Sequence, residues 1–551
     1  MDLTMIVGGK AGAGIKEAGR LICSALTELG YYVFMYVDYP SLIRGGHNFV
    51  SIRIADFPIN SVRKKADIII ATDKRSVKEH LEDAKEDTLW IINETTDKDM
   101  ISKAKEIIVM PFKEVAPSFF KSTSVFGGVL KLLNVDYSVG IPFVKKLKEP
   151  DKNEAIYKEA YEAGVVKFDI KPIDEKKGEL VSGNDAIANG AVDGGLDIYF
   201  AYPMTPSSSV LHTLAAKKDE FGIKVIHPEN ELAVINMAIG AAYAGKRSMV
   251  GTSGGGFALM VEAISLAGMT ETPVVIYEAQ RPGPSTGLPT YSAQSDLLFA
   301  IFAGHGDFGK VVVGVSDAED SYLLTKEALN LAWEYQVPVI VLSDKNAAEN
   351  YYISSCNEIC SRIKDVRPPK MYEGDPKLYK RYQNVEDGIS PFLFPGTKDA
   401  VVKANSYEHN EAGITIEDAH TTKLMQDKRL RKYQKLKNDI LNTKKTYEVF
   451  GNKDADICLI SWGSNKHVLK EVANALNIKF VHVIYLEPFP EDGVKKEVSG
   501  KKLIAVECSA TKQFERLLNM YGIRADANIN KYDGRPFFED EVLELVKSYI
   551  N

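Results

Sequence analysis

Two hydrophobic periods alternate along the chain. MIVGG is a short apolar run. KAGAGIKEAGRLICSALTELG then sets Ile15, Leu21, Ile22, Ala25 and Leu29 at helical spacing, and YYVFMYVDY returns to an apolar stretch of strand type. Further strands are predicted at NFVSIRIA, ADIIIAT, TLWIIN and EIIVM, and an apolar helix at SVFGGVLKLLN. This α/β pattern closes near residue 165, and the lysine- and acid-rich FDIKPIDEKKGELVSGN reads as a linker.

A second series follows: helix NDAIANGAVDGG, strand LDIYFAYP, helix VLHTLAAKKDEFG, strand and turn KVIHPEN, helix ELAVINMAIGAAYAG, strand RSMVGTSGG, helix FALMVEAISLAGMT and strand PVVIYEAQ. Strands alternating with helices in this way predict a doubly wound parallel sheet, where sites gather at the carboxyl ends of the strands. From about residue 344 to 450 the chain is rich in proline and charge; KLMQDKRLRKYQKLKN predicts a basic helix that is solvated or faces an interface. A third α/β series runs through ADICLISWG, HVLKEVANAL, KFVHVIYL, KKLIAVECS, KQFERLLNMYG and EDEVLELVKSYIN. The fold class is therefore α/β, with domains over 1–175, 183–360 and 451–551 and a connecting segment over 361–450 that makes subunit contacts.

Composition narrows the functions. The 551 residues are 45% hydrophobic and 26% charged, ordinary values for a globular chain. The net charge of −7, from 75 acidic and 68 basic residues, argues against a nucleic-acid partner. No apolar run is long enough to span a bilayer and the start MDLTMIVGG lacks a signal-peptide layout, so a cytoplasmic, non-membrane location is expected. Five scattered cysteines build neither a disulfide framework nor a metal site on this chain; Cys356 and Cys360 supply at most two ligands. Electrons, if they move, travel through another chain.

Several turns carry candidate chemistry. In YFAYPMTPSSS a strand is stopped by Pro203, and a helix restarts after Pro206. Thr205, Ser207 and Ser208 can then face the cleft or cap the helix, with capping favoured for the serines. In PENELAV, Glu231 opens a helix of small residues; a first-turn acid is ordinary, yet here it can sit in a poorly hydrated place, with Glu229 as the second candidate. TSGGGF sets Gly254 and Gly255 between strand and helix, for a tight turn or for close approach to a cofactor. Arg281 in EAQRPGPSTGLPTY follows a strand and can grip a carboxylate bidentately, or be a surface arginine. GGKAGAGI matches neither a Rossmann fingerprint nor a Walker loop, though its turn amides with Lys10 or Arg44 can hold an anion.

Y-P-M-T-P-S-S resembles the Y-P-I-T-P-S-S signature of the 2-oxoacid:ferredoxin oxidoreductases. The blocks PENELAVINMAIGAAYAGKRSMVGTSGGGF and EAQRPGPSTGLPTYSAQSDL resemble the same family, as do GGKAGAGI with YPSLIRGGHNFVSIRI (a fused gamma domain) and SWGSNKHVLKEVANAL to INKYDGRPFFEDE (a transketolase-type C-terminal domain). The resemblance covers nearly the whole chain and implies an alpha subunit with a gamma domain at its front. It implies thiamine diphosphate as cofactor, with Glu231 on the aminopyrimidine ring and Gly254 and Gly255 beside it. Thr205, Arg281 and Tyr291 are implied to read the substrate, and Lys10 and Arg44 to meet coenzyme A. The family arrangement favours 2-oxoglutarate, while Tyr291, which stands where several relatives carry arginine, leaves pyruvate and branched-chain 2-oxoacids open. The chain has no G-D-G segment. The resemblance therefore implies a beta subunit that carries the diphosphate and Mg2+ site and a [4Fe-4S] cluster, an (alpha-beta)2 assembly and ferredoxin as acceptor. Rival readings are a non-oxidative thiamine diphosphate-dependent decarboxylase or carboligase, and a non-catalytic scaffold subunit.

Overall fold

A computed structural model describes residues 1–40, 46–93, 98–110, 112, 119–173, 176–354 and 362–550. The chain forms two compact units. One comprises Met1–Ser182, Glu349–Cys356 and Phe537–Asn551, and the other Gly183–Ala348 and Asn357–Pro536. Three sheets carry the fold, of eight, seven and five strands.

In the first unit the strand Asp2–Lys10 lies inside an eight-stranded sheet. It pairs in parallel with Ala66–Ala71, which continues in parallel to Ala84–Asn93 and Glu106–Met110. On its other side His47–Ala55, Tyr32–Asp38, Tyr351–Ser354 and Glu179–Ser182 follow, antiparallel throughout. Successive side chains of ADIIIA serve opposite faces: Ile68 and Ile70 join a core with Leu21, Leu26 and Phe126, while Ile69 and Ala71 pack with Val77 and Trp90.

Three findings differ from the sequence reading. The supposed linker holds the edge strand Glu179–Ser182, whose alternation is weak because only Ser182 is buried. Its ladder partner is Tyr351–Ser354, and residues Glu349–Cys356, assigned from sequence to 183–360, cluster with this unit. Phe537–Asn551, assigned to 451–551, also cluster here, for identifiable reasons. Arg63 pairs with Glu539 at 3.0 Å, the Asp540 carboxylate accepts the amides of Lys64 and Lys65 at 2.9 and 3.0 Å, and the Phe538 ring meets the edge of Tyr36.

The second unit holds the other two sheets. The seven-stranded sheet has Val274–Gln280 near its middle, flanked in parallel by Ser248–Thr252 and Pro338–Asp344. Every residue of VVIYEAQ is buried. Val274 and Ile276 face one apolar core and Val275, Tyr277 and Ala279 the other, as a doubly wound sheet requires. The sheet takes its outermost strand, Tyr485–Glu487, from the C-terminal third, antiparallel to Val311–Gly314. The five-stranded sheet shares a core with it: Phe257 and Leu297 lie in the same cluster as Trp462 and Phe514.

The helix Ala419–Thr443 contains the stretch expected to be solvated or interface-facing; Lys423, Arg431 and Lys435 are exposed, but the opposite face is buried. Lys428 and Lys432 are buried, and their ammonium groups grip Glu271 Oε1 and Oε2, each at 2.6 Å. Burial alone raises the Glu271 carboxyl, but Lys428, Lys432 and Arg381 outweigh it and hold it far below the usual range, while burial pulls Lys432 down to about 8.

Candidate active site

Asn230 caps the helix Glu231–Tyr243, its side chain accepting the Ala233 amide at 2.9 Å. The cap sets Glu231 at the first position, where the side chain is only 4% exposed. Its carboxylate lies over Gly256, in the first turn of the helix Gly254–Met269. A Cβ on Gly256 would stand 2.8 Å from Glu231 Oε1 and closer still to Thr252 Oγ1. Among the described residues no hydrogen-bond donor reaches this carboxylate. Glu229, the second candidate, is exposed. The two helices also leave Leu232, Met237 and Leu259 about half exposed, an apolar face running on from Glu231.

The turn after the strand Ile198–Phe200 is held from beneath. Asn184 Nδ2 donates to the Pro206 carbonyl at 2.9 Å and to Ser209 Oγ at 2.6 Å, and Tyr277 Oη donates to Asn184 Oδ1 at 2.7 Å. Ser207 stands at the N-cap position without side-chain capping; its hydroxyl donates back to the Met204 carbonyl at 2.8 Å, which corrects the expected capping role. The Thr205 carbonyl accepts Arg281 Nη1 at 2.8 Å, so the structure brings these two predicted residues together. Thr205 is half-buried, and its hydroxyl takes no part in these bonds.

Arg281 ends the strand Val274–Gln280 beside a buried acid pair that sequence reasoning missed. Burial lowers the Arg281 guanidinium, Asp296 opposes that shift, and Arg281 Nε is buried without an acceptor. Glu278 is fully buried and no N–H or hydroxyl donor reaches either of its carboxylate oxygens. Burial, then the adjacent Asp296 carboxyl, push it well above the ordinary glutamate value. Burial raises Asp296 as well, against the pull of Arg281, and charge on one carboxyl disfavours charge on the other, so the neutral form of Glu278 is favoured. The signal was present, since VVIYEAQ places an acid inside an otherwise apolar strand.

Two turns shape the segment from Arg281 to Tyr291: the Leu288 amide donates to the Pro282 carbonyl at 2.9 Å, and the Tyr291 amide to the Leu288 carbonyl at 3.2 Å. Gly254 abuts this region: its Cβ would lie 2.5 Å from Asp296 Oδ2. Gly255 faces open space, its nearest neighbour being the Ser285 carbonyl at 4.0 Å from a Cβ. Tyr291 is half-buried and carries the Arg535 guanidinium 4.0 Å from its ring centre.

Lys10 ends the strand Asp2–Lys10 and is exposed. Gly12 and Gly14 follow it with φ of 84° and 74°, and the helix Ile15–Glu28 begins without a side-chain cap. Arg44, Cys356 and Cys360 lie outside the described residues. Cys23, Cys458 and Cys508 are buried free thiols, and among the described residues no group of three metal-ligating side chains converges. No helix of the described residues is long and apolar enough to cross a membrane.

Comparison with known proteins gives this geometry a context. A family described as pyruvate flavodoxin/ferredoxin oxidoreductase, thiamine diphosphate-binding, matches residues 189–428, and a second, pyruvate ferredoxin/flavodoxin oxidoreductase, matches residues 4–163. The 2-oxoacid:ferredoxin oxidoreductase subunit alpha of Sulfolobus sp is 33% identical, over 99% of this chain and 96% of its own length. The 2-oxoglutarate synthase subunit KorA of Archaeoglobus fulgidus is 33% identical over 60% of this chain and 87% of its own. A solved structure, 2-oxoglutarate:ferredoxin oxidoreductase from Magnetococcus marinus with 2-oxoglutarate, coenzyme A and succinyl-CoA bound, superposes with a TM-score of 0.90 at 29% identity, covering 100% of both chains.

Proposed function

The chain belongs to the 2-oxoacid:ferredoxin oxidoreductases as an alpha subunit, and from that premise we propose that the Glu231 pocket is one half of a thiamine diphosphate site whose other half a beta subunit supplies. What carries this reading is a buried carboxylate, 4% exposed, that no donor of the described residues satisfies. An acceptor left open in a nearly closed pocket is available to a donor that a ligand brings, and the cofactor's aminopyrimidine ring is such a ligand. The fit extends to Gly256, which leaves the carboxylate room that any side chain would take.

Bound thiamine diphosphate supplies the carbon nucleophile for the 2-oxoacid carbonyl and takes up the electron pair freed as CO2 leaves. This chain's residues do the rest of the positioning. Glu231 turns its carboxylate oxygen toward the ring as a hydrogen-bond acceptor. Arg281, tethered to the Thr205 carbonyl, meets the substrate carboxylate, and the Thr205 hydroxyl fixes its orientation. Asp296 stands beside Arg281 and favours its charged form against burial. The exposed Leu232, Met237 and Leu259 extend from the pocket as the face on which the beta subunit seats, excluding water.

In this reading the complex is cytoplasmic and of (alpha-beta)2 form. It oxidises a 2-oxoacid, 2-oxoglutarate preferred, to the acyl-CoA, and its electrons leave for ferredoxin through an iron–sulfur cluster on the beta subunit, which also holds Mg2+. Lys10 and Arg44 are the coenzyme A contacts. The test is co-expression with a beta-type chain, followed by viologen reduction across a panel of 2-oxoacids with and without coenzyme A. Reduction that needs coenzyme A and disappears in Glu231→Ala is expected. Release of CO2 without viologen reduction would instead make the enzyme non-oxidative, and an unaffected Glu231→Ala complex would make this chain a scaffold.

A further inference from the structure

Gln294 is buried where the carboxyl ends of two sheets meet. Its Nε2 donates to the Trp462 carbonyl at 3.2 Å and to Asp344 Oδ2 at 3.4 Å, and its Oε1 accepts the Cys508 amide at 3.1 Å and Asn465 Nδ2 at 2.9 Å. A carbonyl only accepts and an amide only donates, so the two backbone partners fix which way the side chain lies. Trp462 ends the strand Ile457–Trp462 and Cys508 follows Lys502–Glu507, its parallel neighbour in the five-stranded sheet, while Asp344 ends Pro338–Asp344 of the seven-stranded sheet. The backbone of Gln294 adds a bond of its own, its amide donating to the Cys508 carbonyl at 2.8 Å.

A second glutamine holds the same segment. Gln513, at the start of the helix Gln513–Met520 in the C-terminal third, accepts the Leu298 amide on Oε1 at 3.0 Å and donates from Nε2 to the Ser295 carbonyl. Between these anchors the chain turns back on the strand before Arg281. The Asp296 amide donates to Gln280 Oε1 at 2.9 Å, and Gln280 Nε2 donates to the Ser343 carbonyl at 3.0 Å, so residues 280–296 form a loop closed at its base. Arg281 stands next to that closure. Residues 283–288, at the tip, are exposed, so the base is what fixes the loop.

We propose that Gln294 and Gln513 are positioning residues through which the C-terminal third sets the place of Arg281 and, with it, the affinity for the 2-oxoacid. Neither side chain has to touch the substrate. A loop held by buried bonds presents its arginine already in place, whereas a loosened base lets the arginine wander and weakens binding more than it slows the chemical step. The proposal rests on the reading above, in which Arg281 meets the substrate carboxylate.

The test measures kcat and KM for 2-oxoglutarate, and KM for coenzyme A, in the complex with its beta subunit for the parent, Gln294→Ala, Gln513→Ala, Gln513→Glu and the double alanine variant. Gln294→Ala is expected to raise KM for 2-oxoglutarate by roughly tenfold or more and Gln513→Ala by roughly threefold or more, with kcat and the KM for coenzyme A within about twofold of the parent. Gln513→Glu, which keeps the Leu298 bond, should lie between Gln513→Ala and the parent. The double variant should fall short of the product of the single effects, because both glutamines hold one loop. A lowered kcat with unchanged KM would leave the two residues as structural anchors, and a raised KM for coenzyme A alone would assign the loop to that co-substrate; either overturns the proposal. If Gln294→Ala fails to assemble, the half-buried Gln513 and its two variants decide. A parent complex that oxidises no 2-oxoacid would sink the functional reading itself, whereas an active parent whose glutamine variants keep its KM would sink only this proposal.

Discussion

The Glu231 carboxylate and Gly256 are in such close contact that a single methyl group on the glycine would come within 2.8 Å of Oε1. Thr252 Oγ1 closes the same space. Gly256→Ala must therefore move the two side chains, at a cost of about 1–3 kcal/mol for an overpacked site. Activity should fall further than stability, because the displaced group is the one proposed to meet the cofactor. Urea unfolding and viologen reduction on the same preparation separate the two effects. Full activity would show that Glu231 need not lie where it does.

Glu271 is the sole carboxylate gripped by both Lys428 and Lys432 among the ion pairs of the described residues. Glu271→Ala leaves buried cations without their counter-charge, and a loss of about 3–5 kcal/mol is expected in chemical denaturation. Replacing the trio together, as Glu271→Leu with Lys428→Met and Lys432→Met, should restore most of it. A single variant as stable as the parent would mean that water already reaches the site.

Glu278 gives the protein a pH dependence whose sign is fixed. Its folded-state pKa is raised by burial and by Asp296, so above the unfolded value, near 4.5, the folded protein binds more protons than the unfolded chain. Stability from this group is greatest in acid and erodes as pH rises, by roughly 1.4 kcal/mol per pH unit while Glu278 stays protonated. Glu278→Gln keeps a donor toward Asp296 and removes the titration. Its melting temperature should exceed the parent's at pH 8, with the gap closing toward pH 5. A gap that widens in acid would refute the neutral Glu278.

Arg281 donates to the Thr205 carbonyl through Nη1. Lysine cannot hold that carbonyl and a carboxylate with the same planar fork. Arg281→Lys should therefore raise KM for the 2-oxoacid by roughly tenfold or more, with less effect on the KM for coenzyme A. Steady-state kinetics on the assembled complex would reveal the opposite pattern if Arg281 served the co-substrate instead.

The parallel core of the fold was legible because strands such as VVIYEAQ are buried on both faces and leave an unbroken apolar run. The helix start at Glu231 was legible too, since an asparagine followed by a first-turn acid marks one. Pairings between distant segments were not. Glu179–Ser182 is a short edge whose partner, Tyr351–Ser354, has no local signature of its own. The helix of Lys428 and Lys432 looked solvated because its counter-charge, Glu271, comes from another part of the chain. Gly256 was passed over for its neighbours because identical glycines differ only in what stands opposite them. Ser207 was misjudged because a hydroxyl at a helix start has a carbonyl behind it as well as amides ahead.

The eight-stranded sheet also dictates an order of events on the ribosome. Tyr32–Asp38 emerges early, yet the neighbour that covers its free side, Tyr351–Ser354, is translated on the order of tens of seconds later, and the helix that Arg63 and the Lys64 and Lys65 amides hold comes after that. During that interval the nascent chain displays an open ladder, the kind of edge that invites intermolecular pairing. A gene cut after residue 182 would leave that edge of Tyr32–Asp38 uncovered, and the fragment is expected to associate through it.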